Sequence, residues 1–399
     1  MKLKMTKRRI IKITIPTVLF ALLTHWSIEP LSLNPFSTLK IPLASSQIIP
    51  NSISVDESEI QFNNAFKQAA DSILDHAVNS GNFIGLSVGV YKEGWGEWVG
   101  SAGFRSKKDY LKVNGNTLFR LASISKPMTA LSILKLVEQG RIELDVPIQK
   151  YIPDLSIPSK EKITIRQLLM HTSGIAHYTS SLDAMSLTNY ESLAEAMDKF
   201  KDRSLQSAPG SHYVYSTYGY TVLGAIIEQV TGLSYQEYMK QVLWEPAKMN
   251  STGIEEQKDY DNKARLYIKV KSAHIRSPYT DLSSIYPGGG IHSNTKDMLK
   301  FSEALLNYKI VDSFTLNEMT DTSKSLAPAI GDTPNGLGWN VYEDPDYGKV
   351  LLHGGSQPGA GGFYLVYLDY KIAVSVLSNS YGSRNHAFEV AKNIVKRLR

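Results

Sequence analysis

The stretch FRLASISKPMTALSILKLVEQGR, residues 119–141, decides how the rest of this chain is read. Ser123 and Lys126 stand three apart in it, a spacing that puts both side chains on one helix face, close enough for an amine to take a serine proton. Ile124, Met128, Ala130, Leu131, Ile133, Leu134, Leu136 and Val137 surround the run almost completely. The pattern predicts a buried central helix with Ser123 at its positive end. Pro127 agrees, because proline fits only in a first turn, where the N–H it lacks would have had no intrahelical partner. Burial lowers a lysine pKa, and a lysine must be lowered in this way to act as a base near neutral pH.

Spacing alone does not single out Ser123, since Ser37, Ser132, Ser159 and Ser293 also precede a lysine by three. Ser37 lies in a Ser- and Pro-rich stretch and Ser159 in the polar connection PSKEK, with no apolar face to shield an amine. Ser132 is mid-helix, where a hydroxyl bonds back to the preceding turn. Ser293 precedes the helix read from NTKDMLKFSEALL, whose Lys296, Asp297, Lys300 and Glu303 predict a half-solvated element with Ser293 as its cap. A further serine, Ser87, sits in GLSVG (85–89), which fits the nucleophile-elbow pattern G-x-S-x-G. Its context FIGLSVGVYKEGWGEWVGSAGF alternates, turns at KEGWG and alternates again, which is a β-hairpin. A serine inside a strand with no helix following is not an elbow, and the flanking glycines read as permitting close packing against a helix.

Two more stretches carry candidates. In SHYVYSTYGYTVLGAIIEQVTG, Tyr220, Leu223, Ile226, Ile227 and Val230 form a helical stripe ended by Gly232, with Tyr215 in the loop ahead of it. In VLLHGGSQPGAGGFYLVYLDYKIAVSVLSNS, His353, Gly354 and Gly355 end a strand, and small residues at 354–356 let a substrate backbone approach its edge.

The 399 residues are 42% hydrophobic, enough for a substantial globular core. Of 43 basic residues, six (Lys2, Lys4, Lys7, Arg8, Arg9 and Lys12) fall in the first twelve; the remaining 37 face 38 acids, a net of −1. A body so near neutral has no electrostatic footprint for nucleic acid. The basic start followed by ITIPTVLFALLTHWSI reads residues 1–28 as an export signal or an uncleaved membrane anchor, and residues 29–56 as a linker. Order is expected from residue 57, beginning with a helix whose stripe is Phe62, Phe66, Ala69, Ile73 and Ala77 and which stops at Gly81. There is no cysteine, hence no thiolate chemistry, and no H-E-x-x-H pair, so the nine histidines read as surface or packing residues; no metal and no cofactor is expected.

In this order, Ser123-x-x-Lys126, Tyr215-Ser216-Thr217 and His353-Gly354-Gly355 resemble the motifs of the serine β-lactamase and penicillin-binding protein superfamily, most closely its class C β-lactamase and D-alanyl-D-alanine carboxypeptidase branch. ITIRQLLMHTSGI (163–175) and PGGGIHSNTKDMLKF (287–301) support the resemblance, which covers about residues 60–395. It implies an α/β (α+β) fold in which an antiparallel sheet, built from about 57–120 and 288–399, is flanked by helices, with a mainly helical part at about 121–287. It also implies an exported serine hydrolase acting on a peptide, amide or β-lactam bond, possible substrates including a cell-wall peptide. Ser123 would attack; Lys126 and Tyr215 would move its proton; Thr217, His353, Gly355 and Ser356 would bind substrate, with the N–H groups of Ser123 and Ser356 as oxyanion hole. Two departures stand out. Thr217 replaces the usual asparagine, as in the branch similar to the mitochondrial serine β-lactamase-like protein, which puts penicillin turnover in doubt. His353 stands where lysine is common: charged, it would hold a substrate carboxylate and make activity decline between about pH 6 and pH 8; neutral, it would only donate a hydrogen bond. A carboxylesterase of the same fold and a silent binding protein are the alternative readings.

Overall fold

The computed structural model describes residues 62–398, apart from 257–259, 271–272 and 328–332. The export segment and linker expected over 1–56 lie outside the described residues.

Helix α1 (Asn64–Asn79) is capped by Asn63, whose side chain accepts from the Phe66 N–H at 2.8 Å. It buries Phe66, Ala70, Leu74 and Ala77, so the expected stripe is rotated and Ala69 and Ile73 fall at its margin. The sheet beneath sets that rotation: Phe66 meets Trp98 edge-on at 5.3 Å, and Leu74 lies over Gly100, where a Cβ would stand 3.0 Å from its methyl. Gly81 follows at φ 73°, a left-handed position suited to a chain leaving a helix.

The expected hairpin is β1 (Gly85–Lys92) and β2 (Gly96–Ser106), extended by β3 (Leu111–Lys112). A small sheet joins β4 (Phe119–Arg120), β5 (Gly253–Ile254) and β8 (Ile291–Ser293), and β6 (Tyr267–Val270) pairs β7 (Ala273–Arg276). The chain returns with β9 (Asn340–Asp344), β10 (Gly348–Gln357), β11 (Ala360–Tyr367) and β12 (Ile372–Ser378). The main sheet runs β3-β2-β1-β12-β11-β10-β9, antiparallel throughout, so β1 lies against β12 and the two ends of the fold share one sheet. This is the flanked antiparallel sheet implied by the sequence resemblance.

Alternation divides the core in two. Leu86, Val88, Val90, Val350, Leu352, Phe363, Leu365, Val374 and Val376 point to one face, under α1 and the C-terminal helix α6 (Arg384–Val395), while Leu351, Tyr364, Val366, Ala373 and Leu377 point to the other. On that second face lie α2 (Ser125–Glu138), α3 (Thr217–Thr231), α4 (Tyr286–Gly289) and α5 (Thr295–Leu306). Helix α2 is buried almost all round, as the apolar run after Ser123 predicts, and α3, read as a one-sided stripe, is buried on every side from Thr217 to Ile227.

Two details differ from the sequence reading. The cap of α5 is Asn294, whose side chain accepts from the Asp297 N–H; Ser293 ends β8 with its hydroxyl 2.7 Å from that of Thr252. Helix α5 is also more deeply covered than its charges suggest, because Asp297 is buried and accepts from the Ser251 N–H at 2.7 Å and the Thr252 hydroxyl at 2.9 Å. Ser87 occupies β1, buried, its hydroxyl 2.9 Å from that of Ser101, and a Cβ on Gly89 would stand 2.6 Å from Thr295 and 2.9 Å from Leu299 of α5. The close helix packing read from GLSVG is therefore realised at Gly89.

Candidate active site

Ser123 does not sit on α2 itself. It occupies the middle of a 3-10 turn, Ala122–Ile124, that runs into the helix one residue later. Ala122 has φ 50°, a conformation that costs a non-glycine residue about 1 kcal/mol or more and that tertiary contacts must hold. Those contacts are present: the Leu121 N–H bonds the Ile291 carbonyl at 2.9 Å, and a Cβ on Gly355 would stand 2.3 Å from the Leu121 oxygen, so β10 presses directly on the turn. The motif glycine is there for that approach. Arg120, just upstream, is fixed by a buried bidentate pair with Glu255, both bonds 2.8 Å, and by the Pro358 carbonyl at 3.0 Å.

Two side chains converge on the Ser123 hydroxyl. The Tyr215 phenol donates to it at 2.8 Å, and the Lys126 Nζ lies 3.2 Å away. Lys126 is fully buried, and burial holds its pKa well below the ordinary lysine value. A neutral amine has two hydrogens and one lone pair, and the neighbours match that inventory. The Gly288 carbonyl at 2.6 Å and the Thr217 hydroxyl at 3.2 Å take the hydrogens, which leaves the lone pair for the proton of Ser123. Tyr215 is shifted the opposite way: burial raises its phenol above the usual range, partly countered by the bond to Ser123, so it stays protonated.

Two histidines that the sequence left as packing residues hold Tyr215 in place. His171 lies at φ 59°, accepts the Val214 N–H on its carbonyl at 2.7 Å and the Ser216 N–H on Nδ1 at 3.2 Å, and so brackets Tyr215 from both sides. Its ring lies 4.3 Å from the Tyr215 ring. His177 Nδ1 accepts the Thr217 N–H at 3.3 Å. Both act as acceptors, which requires neutral rings. Burial, with the Lys126 charge second, lowers His171 well below its ordinary value and His177 to about 3. Nothing in the local sequence HTSGIAH marks either residue, because their partners are backbone groups some 40 positions away in the chain.

The remaining expected residues lie on or beside β10. His353 is buried, and its pKa is brought down to about 3 by burial, then by the Lys126 charge. Its Nδ1 is 2.8 Å from the Gly354 carbonyl, so the neutral ring spends its N–H there and keeps Nε2 as an acceptor. The charged form considered for His353 is disfavoured, because burial penalises a cation there. Thr217 is buried with its hydroxyl committed to Lys126.

Ser356 reaches the site through its backbone. Strand β9 stops pairing at Leu352, leaving the β10 edge open over 353–357. The Val341 N–H turns away from β10 to the Pro334 carbonyl, which makes the Val341–Leu351 pair a non-bonded one and directs Leu351 toward β11. Alternation then places the N–H and C=O of Gly354 and Ser356 on the open edge, while the Ser356 side chain lies on the α6 face.

A sequence profile of the Beta-lactamase family matches residues 70–398. The chain belongs to the beta-lactamase family. Among its relatives, the human mitochondrial serine beta-lactamase-like protein LACTB is 27% identical over 292 residues, 56% of this chain and 53% of that protein. Penicillin-binding protein 4* of Bacillus subtilis is 28% identical over 301 residues, 70% of this chain and 64% of that one. The chain thus spans between about half and two thirds of the length of these curated relatives. A solved octameric penicillin-binding protein homologue from Pyrococcus abyssi superposes with TM-score 0.73 at 27% identity, covering 84% of this chain and 77% of that one. EstCE1, a hydrolase with promiscuous acyltransferase activity, shares the fold with TM-score 0.75 at 21% identity, covering 84% and 98%. The family is one of serine hydrolases.

Proposed function

We propose that the protein is an exported hydrolase that cleaves a peptide, amide or β-lactam bond through an acyl-enzyme on Ser123. The observation that carries this reading is the convergence of a fully buried lysine, its pKa held well below the ordinary value, at 3.2 Å and a protonated tyrosine at 2.8 Å on one hydroxyl. Lys126 takes the Ser123 proton as Oγ attacks the carbonyl carbon. The oxyanion is met by the N–H groups of Ser123, at the start of a helical turn where donors lack intrahelical partners, and of Ser356 on the open β10 edge. Tyr215 delivers a proton to the leaving nitrogen or oxygen and is restored from Lys126. Water then enters by the same route in reverse and releases the acid.

His353 serves this scheme as a neutral residue of the wall. With no cation at that position, one pH profile should govern substrates with and without a terminal carboxylate. Thr217 favours an ester reading as the second possibility, since its hydroxyl is taken by Lys126 and the carboxamide usual at this place is missing. Fluorophosphonate labelling of the wild type and of Ser123→Ala tests the nucleophile. Rates on a p-nitrophenyl ester, nitrocefin and a D-Ala-D-Ala peptide separate peptidase, β-lactamase and esterase; labelling that persists in Ser123→Ala overturns the proposal. Localisation of the full chain by cell fractionation tests export.

A further inference from the structure

Residues 353, 355 and 357 of β10 share the face that bears on Ser123, and Gly355 lies against the Ser123 turn itself. Gln357, the last residue of the strand, is more than nine-tenths buried there. Its amide nitrogen lies against Gly289, where a Cβ would stand 2.6 Å away, so that glycine leaves room for the carboxamide. Tyr178, half-buried and bonded to Thr217, holds the amide group through a second side-chain hydrogen bond. The carboxamide oxygen Oε1 has no partner among the described residues. A buried acceptor left unmatched is unfavourable, and in a site it marks a place where a ligand group completes the bonding.

We propose that the Gln357 carboxamide is the acceptor for an N–H of the substrate, beside the wall formed by Thr217 and Tyr178. The inference rests on the hydrolase reading for its chemistry and deepens it: the preferred acyl group carries an amide or amine N–H near the scissile carbonyl. The sequence hides this because Gln357 lies four residues past His353, outside the motif, and its neighbours Tyr178, Thr217 and Gly289 come from three other segments. An amide is therefore present in the site although Tyr215-Ser216-Thr217 supplies none.

The test compares the p-nitrophenyl esters of N-acetylalanine and N-acetyl-N-methylalanine, in both configurations, which differ by the one donor hydrogen. The wild type should prefer the N–H ester by about tenfold or more in kcat/KM, the scale of one hydrogen bond that a site is built to make. Gln357→Met, which keeps the length and apolar bulk of the side chain but removes the acceptor, should bring that ratio to within about twofold. Gln357→Ala, which removes the whole carboxamide arm, should do the same. A wild-type ratio near one, or a ratio that survives in both variants, overturns the inference. Because it could fail separately from the hydrolase reading, the methylamides of the same two acids are titrated calorimetrically against Ser123→Ala, where no turnover is needed. Tighter binding of the N–H ligand, lost on adding Gln357→Ala, supports the inference even if neither ester is hydrolysed; equal affinities overturn it even if both are.

Discussion

Ser87 and Ser123 are the two serines whose surroundings most invite a catalytic reading, and the regions that carry them differ in almost every physical respect. Ser87 is fixed in the middle of β1, hydrogen-bonded strands on both sides, its hydroxyl satisfied by Ser101 at 2.9 Å. Ser123 stands on a strained turn at a helix entrance, with Ala122 at φ 50°, and two groups of opposite pKa shift meet its hydroxyl. The catalytic reading of Ser123 rests on that company and not on flanking glycines. In β1, Gly89 admits a helix; in β10, Gly355 admits the turn that carries Ser123. The same residue type makes packing in one place and a site in the other.

The sharpest way to break this contrast is to exchange the roles of the two hydroxyls. Ser123→Ala should lose all fluorophosphonate labelling in a gel assay, and Ser87→Ala should label like the wild type. The next largest effect is expected from Lys126→Met, which fits the buried slot and removes the base: kcat/KM should fall by about 10²- to 10⁴-fold. The sign of the pH dependence follows from the lowered lysine pKa. Protonation removes the lone pair, so kcat/KM should rise as pH passes upward through the Lys126 pKa, and stopped-flow rates on a simple ester should lose that limb in the methionine variant.

A smaller effect tests whether the turn region depends on its histidine support. His171→Ala should lower kcat by about tenfold, the scale of one hydrogen bond that positions Tyr215. His171→Asn should recover most of it, because asparagine offers an oxygen where Nδ1 lies and tolerates φ 59°, whereas His171→Gln sets its oxygen farther out and should not. Thermal melting run beside the kinetics separates this from loss of fold: similar melting temperatures for the Asn and Gln variants with different kcat mark a positioning role. The smallest expectation concerns His353. With its pKa at about 3, it does not titrate between pH 6 and pH 8, so peptides with and without a carboxylate should share one profile over that range. A decline confined to the carboxylate substrate would show that the ring is charged in the complex.

The sequence by itself determined the family, the hairpin of β1 and β2, the all-round burial of α2, and the nomination of Ser123, Lys126 and Tyr215 as site residues. Each of these is written in local terms: alternation, an apolar run with a proline in its first turn, a motif of fixed spacing. Tertiary structure decided the rest. It chose the face of α1 by seating Leu74 over Gly100, gave the α5 cap to Asn294, placed Ser123 on a turn ahead of the helix, and left half of one β10 edge open. It also lowered the pKa of His353 and decided the parts played by His171, His177 and Gln357. Those depend on partners distant in sequence, of which a chain read residue by residue carries no local mark.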